Sequence, residues 1–446
     1  MRRRCFLQSI AAALPWEAVA QQRGRAPLPD PFKPSEEPNQ PIGVGQGIHP
    51  GRVVWVRDAN AATWDGVTGH WWDDAYTNQK VVHSMTSQLV RNLAGAKNGR
   101  QAWDALFRSF NDAHGQGSSG YRPGERIAIK VNCNQDRSAQ WGTASPGMET
   151  RPVPNGLPSP HAVVALITEL IEIAGVRGGD IMIYDVTGIR NVGQPIRARI
   201  QANSNPEFQA VKYLVGTDYD LGGRMAPTPD MQNPVRFAKT ELPEAYLPRQ
   251  VTEARYMINM ALLRPHGMAG VTLTAKNHFG SVYFPNDGGW SPRTLHSSVL
   301  RTQPMGSYNA LVDLIGHRHL GGKTMLYVLD GLYTAEHNEA SVIKWASFGD
   351  QWASSMLMSQ DPVAIDSVAL DLLRNEPRAT QVRGRADNYL HEAAQAMKPP
   401  SGTIYRPDGR GTLPSLGVHE HWNNPTDRKY SRNLGRKEGI ELLAGA

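Results

Sequence analysis

The stretch RIAIKVNCN, residues 126–134, decides the fold, because its side chains alternate strictly between apolar and polar. This alternation predicts a β-strand that buries one face and places Lys130, Asn132 and Asn134 on the other. The buried face would consist of Ile127, Ile129, Val131 and Cys133. The polar side chains therefore gather near the carboxyl end of the strand.

A helix and a second strand follow along the chain. Ser159 predicts an N-cap, and Pro160 fits the first turn of a helix that ends near Gly175. Its apolar stripe comprises Val163, Ile167, Leu170, Ile171 and Ala174. The sequence DIMIYD, residues 180–185, then predicts a strand parallel to the first, because a helical crossover connects parallel neighbours.

The remainder of the chain repeats this alternation up to about residue 397, without a long linker or an internal repeat. We therefore predict one large α/β domain over residues 51–446, with a mixed, largely parallel sheet flanked by helices and long loops. The 43 glycines and 32 prolines indicate those loops, and the tail from Pro399 is loop-rich.

Ligands bind outside the carboxyl ends of the strands in open α/β sheets. Lys130, Asn132, Asn134 and Asp185 are therefore expected at a binding site. The alternative is structural, because Lys130 and Asp185 would also form an ion pair and the asparagines would also cap turns. The pattern alone does not separate the two.

Residues 1–20 have the three parts of an export signal. Arg2–Arg4 are basic, Ile10–Leu14 are apolar, and Ala18–Ala20 fit a small-x-small cleavage site. The spacing of the arginines from Phe6 and Leu7 predicts a twin-arginine signal, whose translocon accepts folded cargo. We therefore expect a periplasmic protein that has the twin-arginine export machinery as a partner.

Residues 21–50 form a Pro/Gly-rich leader that we expect on the surface or disordered. No later stretch approaches the ~18 apolar residues of a membrane helix, so no stable membrane insertion is expected after cleavage.

Cysteine count and charge exclude further classes. Cys5 lies in the signal and leaves Cys133 alone, so neither an intramolecular disulfide nor a four-cysteine iron–sulfur cluster is expected. The net charge of +6 falls to about +4 without the signal, and this charge is spread along the chain, without a basic stripe interleaved with aromatics. Nucleic acid is therefore not an expected partner.

A second polar segment contains Arg264, His266, Lys276, Asn277 and His278. Imidazole binds divalent metals or transfers protons near neutral pH, whereas lysine and arginine hold phosphate, sulfate or carboxylate. Each histidine alone is more commonly a satisfied or surface residue. Only their clustering favours a functional site.

Other acids and histidines have simpler interpretations. Asp330 follows a predicted strand and is either a second carboxylate at the mouth of the sheet or a turn residue. Asp361 predicts the N-cap of an apolar helix. His419 and His421 would share a face in an extended segment and chelate a metal, but a surface location is the favoured interpretation. His391 begins HEAAQ, which lacks the second histidine of a zinc-protease helix.

The chain resembles the domain of unknown function 362 family over roughly residues 52–440. The resemblance rests on IKVN at 129–132, SPH at 159–161, RPHGMAGVTL at 264–273, AKNHFG at 275–280, LDG at 329–331 and DPVAID at 361–366. It implies a fold and groups Lys130, Asn132, His266, Lys276 and Asn277, but it implies no reaction. Some members carry ferredoxin-like cysteine clusters, which this chain lacks.

The leading hypothesis is an enzyme whose cleft binds a small anionic substrate, with or without a divalent metal as cofactor. Lys130, His266 and Lys276 are the predicted catalytic residues, Asn132, Arg264 and Asn277 bind the ligand, and Asp185 and His278 hold metal. The competing hypothesis is a non-catalytic protein that captures or matures a ligand or cofactor in the same cleft. A third possibility is that these groups merely satisfy one another inside a large core.

Overall fold

The computed structural model describes Pro34 and residues 36–133, 157–187, 194–215, 224–286, 289–338 and 340–445. The predicted signal, most of the leader's first half and Asn134 lie outside these residues. None of the described helices is both long and apolar enough to cross a bilayer.

The strands in chain order are β1 (Ile42–Gly43), β2 (Arg52–Arg57), β3 (Ile127–Lys130), β4 (Ile181–Asp185), β5 (Lys212–Val215), β6 (Arg224–Met225), β7 (Tyr256–Leu262), β8 (Arg264–His266), β9 (Gly270–Thr272), β10 (Thr324–Gly331), β11 (Ser355–Ser359), β12 (Val418–His419) and β13 (Glu441–Gly445). The helices are α1 (Gln79–Ala94), α2 (Gly99–Ala113), α3 (Pro160–Thr168), α4 (Gln194–Gln201), α5 (Pro206–Gln209), α6 (Arg249–Thr252), α7 (Thr274–Asn277), α8 (Ala310–Gly316), α9 (Pro362–Asn375) and α10 (Asn388–Ala394).

The described part of the chain builds a nine-stranded sheet in the order β13-β2-β11-β10-β7-β3-β4-β5-β6. Within it, β11 alone runs antiparallel to its neighbours, β10 and β2. The predicted mixed, largely parallel sheet is confirmed. The chain moves outward from β3 to β6 and then returns to the other side of β3 with β7, so the strand order reverses between β3 and β7. Ligand sites of open sheets occur at such a reversal.

Alternation along β3 determines which core each side chain enters. Ile127, Ile129, Val131 and Cys133 lie in the core beneath α1, α2 and α3, as predicted. Ala128 lies in the core on the opposite face, which includes the apolar side of α9. Both faces of the sheet are therefore covered, and Lys130 is fully buried.

The helix α3 starts where the sequence predicted, with Pro160 in its first turn. Ser159 occupies the N-cap position, but its side chain makes no capping hydrogen bond. Its backbone N–H instead donates to Asp330 Oδ2 at 2.6 Å, and Asp330 Oδ1 accepts from Leu332 N. Asp330 therefore ties the end of β10 to the start of α3, and burial raises its pKa to about 6.

The leader and the tail pack together in the described residues. β1 pairs with β12, and β13 adds a strand beside β2 that the sequence did not predict. The surface location expected for His419 and His421 is wrong, because both are buried in this region.

Asp361 holds three segments together. Its Oδ1 accepts from Val363 N and Ala364 N, which confirms the predicted cap of α9. Its Oδ2 accepts from Gln46 N at 2.9 Å and Val418 N at 3.2 Å.

We expect Asp361→Ala to lower the free energy of unfolding by about 3 kcal/mol or more, because it removes a helix cap and leaves the buried Val418 N–H and the half-buried Gln46 N–H unpaired. Asn98→Ala is the control, since Asn98 caps α2 through a single bond to Gln101 N and should cost only about 1 kcal/mol. Urea unfolding measures both, and equal losses would contradict the bridging role of Asp361.

Candidate functional site

A small cavity of about 40 Å³ lies where β3 and β4 end, beside the β8–β9 hairpin and α7. This is space for a few water molecules or a small polar group. The structure brings together seven of the eight described residues that were predicted for the site, and the ninth, Asn134, lies outside the described residues. The seven are Lys130, Asn132, Asp185, Arg264, His266, Lys276 and Asn277.

The charge of Lys130 is compensated by an ion pair, and its side chain is held by several partners. Its Nζ lies 3.2 Å from Asp185 Oδ2 and donates to Asn277 Oδ1, also at 3.2 Å. Asn277 Nδ2 returns a hydrogen bond to the Lys130 carbonyl at 3.1 Å and donates to Asn259 Oδ1 at 2.7 Å. Lys130 and Asn277 therefore form a closed network that joins β3, β4, β7 and α7.

Asp185 uses both of its carboxylate oxygens. Oδ2 also accepts from Cys133 N at 2.9 Å, and Oδ1 accepts from the N–H and hydroxyl of Thr187. Gly280 passes so close that a Cβ there would lie 2.4 Å from Lys130 Nζ and 2.6 Å from Asp185 Oδ1. The ion pair therefore requires glycine at this position, because any side chain would collide with both partners.

Arg264 has no such counter-charge. It is 2 % exposed, and none of its three guanidinium nitrogens has a hydrogen-bond partner among the described residues. Thr272 lies directly opposite on β9, and its buried hydroxyl also lacks a described partner. Burial lowers the pKa of Arg264 to about 9. A guanidinium and a hydroxyl that line the cavity thus have unused hydrogen-bonding capacity among the described residues.

Lys276 is the second uncompensated cation of the cavity. Its Nζ lies 4.0 Å from the centre of the Phe279 ring and has no carboxylate partner among the described residues. Burial, and then the charge of Arg264, lower the pKa of Lys276 to about 7. The start of α7 is fixed by Asp366, which accepts from Thr274 N and Ala275 N.

Two neutral histidines complete the lining. His266 Nδ1 accepts from Met268 N at 3.1 Å and Ala269 N at 3.3 Å, so the proton of the neutral ring resides on Nε2. Burial, and then Lys276, hold the pKa of His266 well below its usual range. His296 lies with Nδ1 3.1 Å from the Pro292 carbonyl, and burial lowers its pKa to about 4.

His278 is the predicted residue that does not line the cavity. Its Nε2 lies 3.1 Å from Asn259 Nδ2, and burial lowers its pKa to about 3. Among the described residues, no group of three or more metal-binding side chains lies at this cavity. Its chemistry is that of a cationic site, which suits oxygen anions.

The sequence did not single out Thr272, Phe279 or His296. Thr272 and Phe279 fall inside stretches already noted. Thr272 pairs with Arg264 across the β8–β9 hairpin, so recognising that hairpin in the sequence would have favoured Thr272 as a site residue. His296 comes from a separate segment that follows α7. Nothing in the sequence around it indicated a place in the site, apart from its being a histidine.

The comparison with protein families agrees with the resemblance described above. The model of the family Domain of unknown function (DUF362) matches residues 149–371, which is half of the chain and includes Asp185, Arg264 and Lys276. No curated protein matches the chain. The chain therefore belongs to the DUF362 family.

Proposed function

We propose that the chain is an enzyme that acts on a small anionic substrate bound by Arg264 and Lys276. The observation that carries this proposal is the buried guanidinium of Arg264, which has no hydrogen-bond partner among the described residues. Burying an unpaired cation is costly, and a folded protein tolerates it where a ligand supplies the counter-charge. A periplasmic site of action, after twin-arginine export, is part of the same proposal and rests on residues 1–20.

The geometry suggests how the anion would be held. Arg264 offers a planar fork that matches the two oxygens of a carboxylate, phosphate or sulfate. The Thr272 hydroxyl and the Lys276 ammonium line the same cavity and would complete its shell. Because the cavity is small, we propose that it holds only the charged head of the substrate.

The proposed proton chemistry belongs to Lys276. A lysine with a pKa of about 7 is present in both protonation states at neutral pH, as a general acid or base requires. His266 would donate from Nε2 to a developing negative charge. Lys130 would position Asp185 and Asn277. A metal held by Asp185 and His278 would first have to displace the hydrogen bonds that both residues now make.

We expect Lys276→Met to weaken sulfate or acetate binding by about 10-fold or more, since one charge-assisted hydrogen bond is lost. The ligand-free variant should be as stable as the original protein or more stable, because methionine needs no desolvation of an amine. Isothermal titration calorimetry and urea unfolding measure the two effects.

Lys323→Met is the matched control. Lys323 is also buried, and burial also lowers its pKa to about 7, but its Nζ donates to the carbonyls of Val251, Thr252 and Ala254. This variant should lose stability and keep its anion affinity. If Lys276→Met behaved in the same way, Lys276 would be a structural residue.

Anion affinity should fall as the pH rises above about 7. Lys276 loses its proton near that pH in the free protein, whereas a bound anion favours the ammonium and raises this pKa. Binding above pH 7 therefore takes up a proton, and the dissociation constant of sulfate should rise toward about tenfold per pH unit. Calorimetry between about pH 6 and 9 measures this slope, and Lys276→Met should flatten it. A constant affinity of the original protein would contradict contact between Lys276 and the anion.

Turnover decides between the enzyme and the binding protein. Phosphate monoesters and carboxylic acids that bind with the pH dependence above would be tested for conversion by the original protein and by Lys276→Met. Conversion that depends on Lys276 supports the enzyme, while tight binding without conversion favours the capture or maturation protein.

A further inference from the structure

Three histidine rings meet in the region where the leader packs on the tail. His419 lies between the other two, with ring centres 4.7 Å from His391 and 5.0 Å from His421. His391 belongs to α10, whereas the other two belong to the tail. None of these rings lines the cavity at the ends of β3 and β4.

Two carboxylates face the same rings. Glu36 places one oxygen 3.7 Å from His391 Nε2 and the other 3.8 Å from His421 Nε2. Asp387 Oδ2 lies 3.9 Å from His421 Nε2. These separations are too long for hydrogen bonds. Accordingly, His391 Nε2 and His421 Nε2 are both buried without a hydrogen-bond partner among the described residues.

The Nδ1 atom of His421 already has a hydrogen-bond partner. His421 is 3 % exposed, and its Nδ1 lies 2.7 Å from Asp371 Oδ1. The Asp371 carboxylate also accepts from Trp422 N and the Tyr430 hydroxyl. A carboxylate on one ring nitrogen with the other left open is the usual support of a metal-binding histidine.

His419 has a similar asymmetry. Ser367 Oγ donates to the Val363 carbonyl, so the 2.8 Å contact between Ser367 Oγ and His419 Nδ1 requires the proton to reside on Nδ1. The Nε2 atom of His419 therefore keeps its lone pair.

We propose that Glu36, Asp387 and His421 bind a divalent transition metal, with His391 as the fourth ligand. One ligand atom from each of the first three residues lies within 4.8 Å of the others. Tetrahedral zinc with bonds of about 2.0–2.1 Å separates its ligand atoms by about 3.3 Å, so small side-chain rotations close the site. Imidazole and carboxylate ligands suit zinc and its first-row neighbours.

The site would be structural. Its ligands come from the leader, from α10 and the residue before it, and from the tail, so one ion would link segments that are far apart in sequence. Four protein ligands leave no open position, as in structural zinc sites. Arg374 Nη1 donates to Asp387 Oδ2 at 3.0 Å and opposes the cation, while Glu36 and Asp387 together supply two negative charges. The competing occupant is a proton on His421.

Metal titration of the full-length chain tests the site. The protein is stripped with a chelator, dialysed and titrated with Co²⁺ or Zn²⁺. We expect about one equivalent bound, tetrahedral Co²⁺ absorption and a melting temperature that rises with metal concentration and falls again with chelator.

Two variants locate the ion. Glu36→Gln removes a ligand from a half-buried side chain, and His421→Ala removes the central imidazole. Each should weaken binding by about 10-fold or more. His70→Ala is the control, because His70 also lies near a carboxylate, at 3.6 Å from Asp73, but on the surface. The metal affinity of the His70→Ala variant should be unchanged.

The opposite results would overturn the site. They are uptake below about a tenth of an equivalent without a change in melting temperature, or Glu36→Gln protein that binds metal as tightly as the original. Either result would indicate that His421 is protonated and that the site binds no metal. If His421→Ala does not fold, Glu36→Gln alone decides.

Discussion

The buried ion pair between Lys130 and Asp185 is the interaction on which the site depends. A charge pair inside a protein is tolerated only when its remaining donors and acceptors are satisfied, and here Asn277, Cys133 N and Thr187 satisfy them. This network holds the ends of β3 and β4 against α7. It also consumes the only carboxylate that lines the cavity in the described residues. Arg264 and Lys276 are therefore left without a counter-charge.

Two buried lysines illustrate how environment gives one residue type different roles. Burial lowers the pKa of Lys276 and Lys323 to about 7 in both cases. Three backbone carbonyls surround the Lys323 ammonium, which makes that residue part of the fold. An aromatic ring lies under Lys276 instead. The proposed anion site would therefore keep Lys276 at the expense of stability, as functional sites commonly do.

Local patterns predicted much of the fold. Alternation placed Ile127 and Lys130 on opposite faces of β3, and the aspartate before Pro362 predicted the start of α9, because both signals act within a few residues. The sequence also grouped Lys130, Arg264 and Lys276 and offered an ion pair with Asp185 for the first, yet it gave no sign that the other two lack a counter-charge. The edge strand β13, the pairing of β1 with β12 and the burial of His421 depend on residues far apart in sequence, which no local pattern contains.

The position of β13 beside β2 has a consequence for how the protein is made. β2 is the second described strand, but its outer neighbour is formed by Glu441–Gly445, far from it in sequence. Until β13 docks, β2 presents unpaired backbone groups at the margin of the sheet, where another chain could pair with them. Folding intermediates in which β13 has not yet docked are therefore the states in which this sheet is most exposed to aggregation.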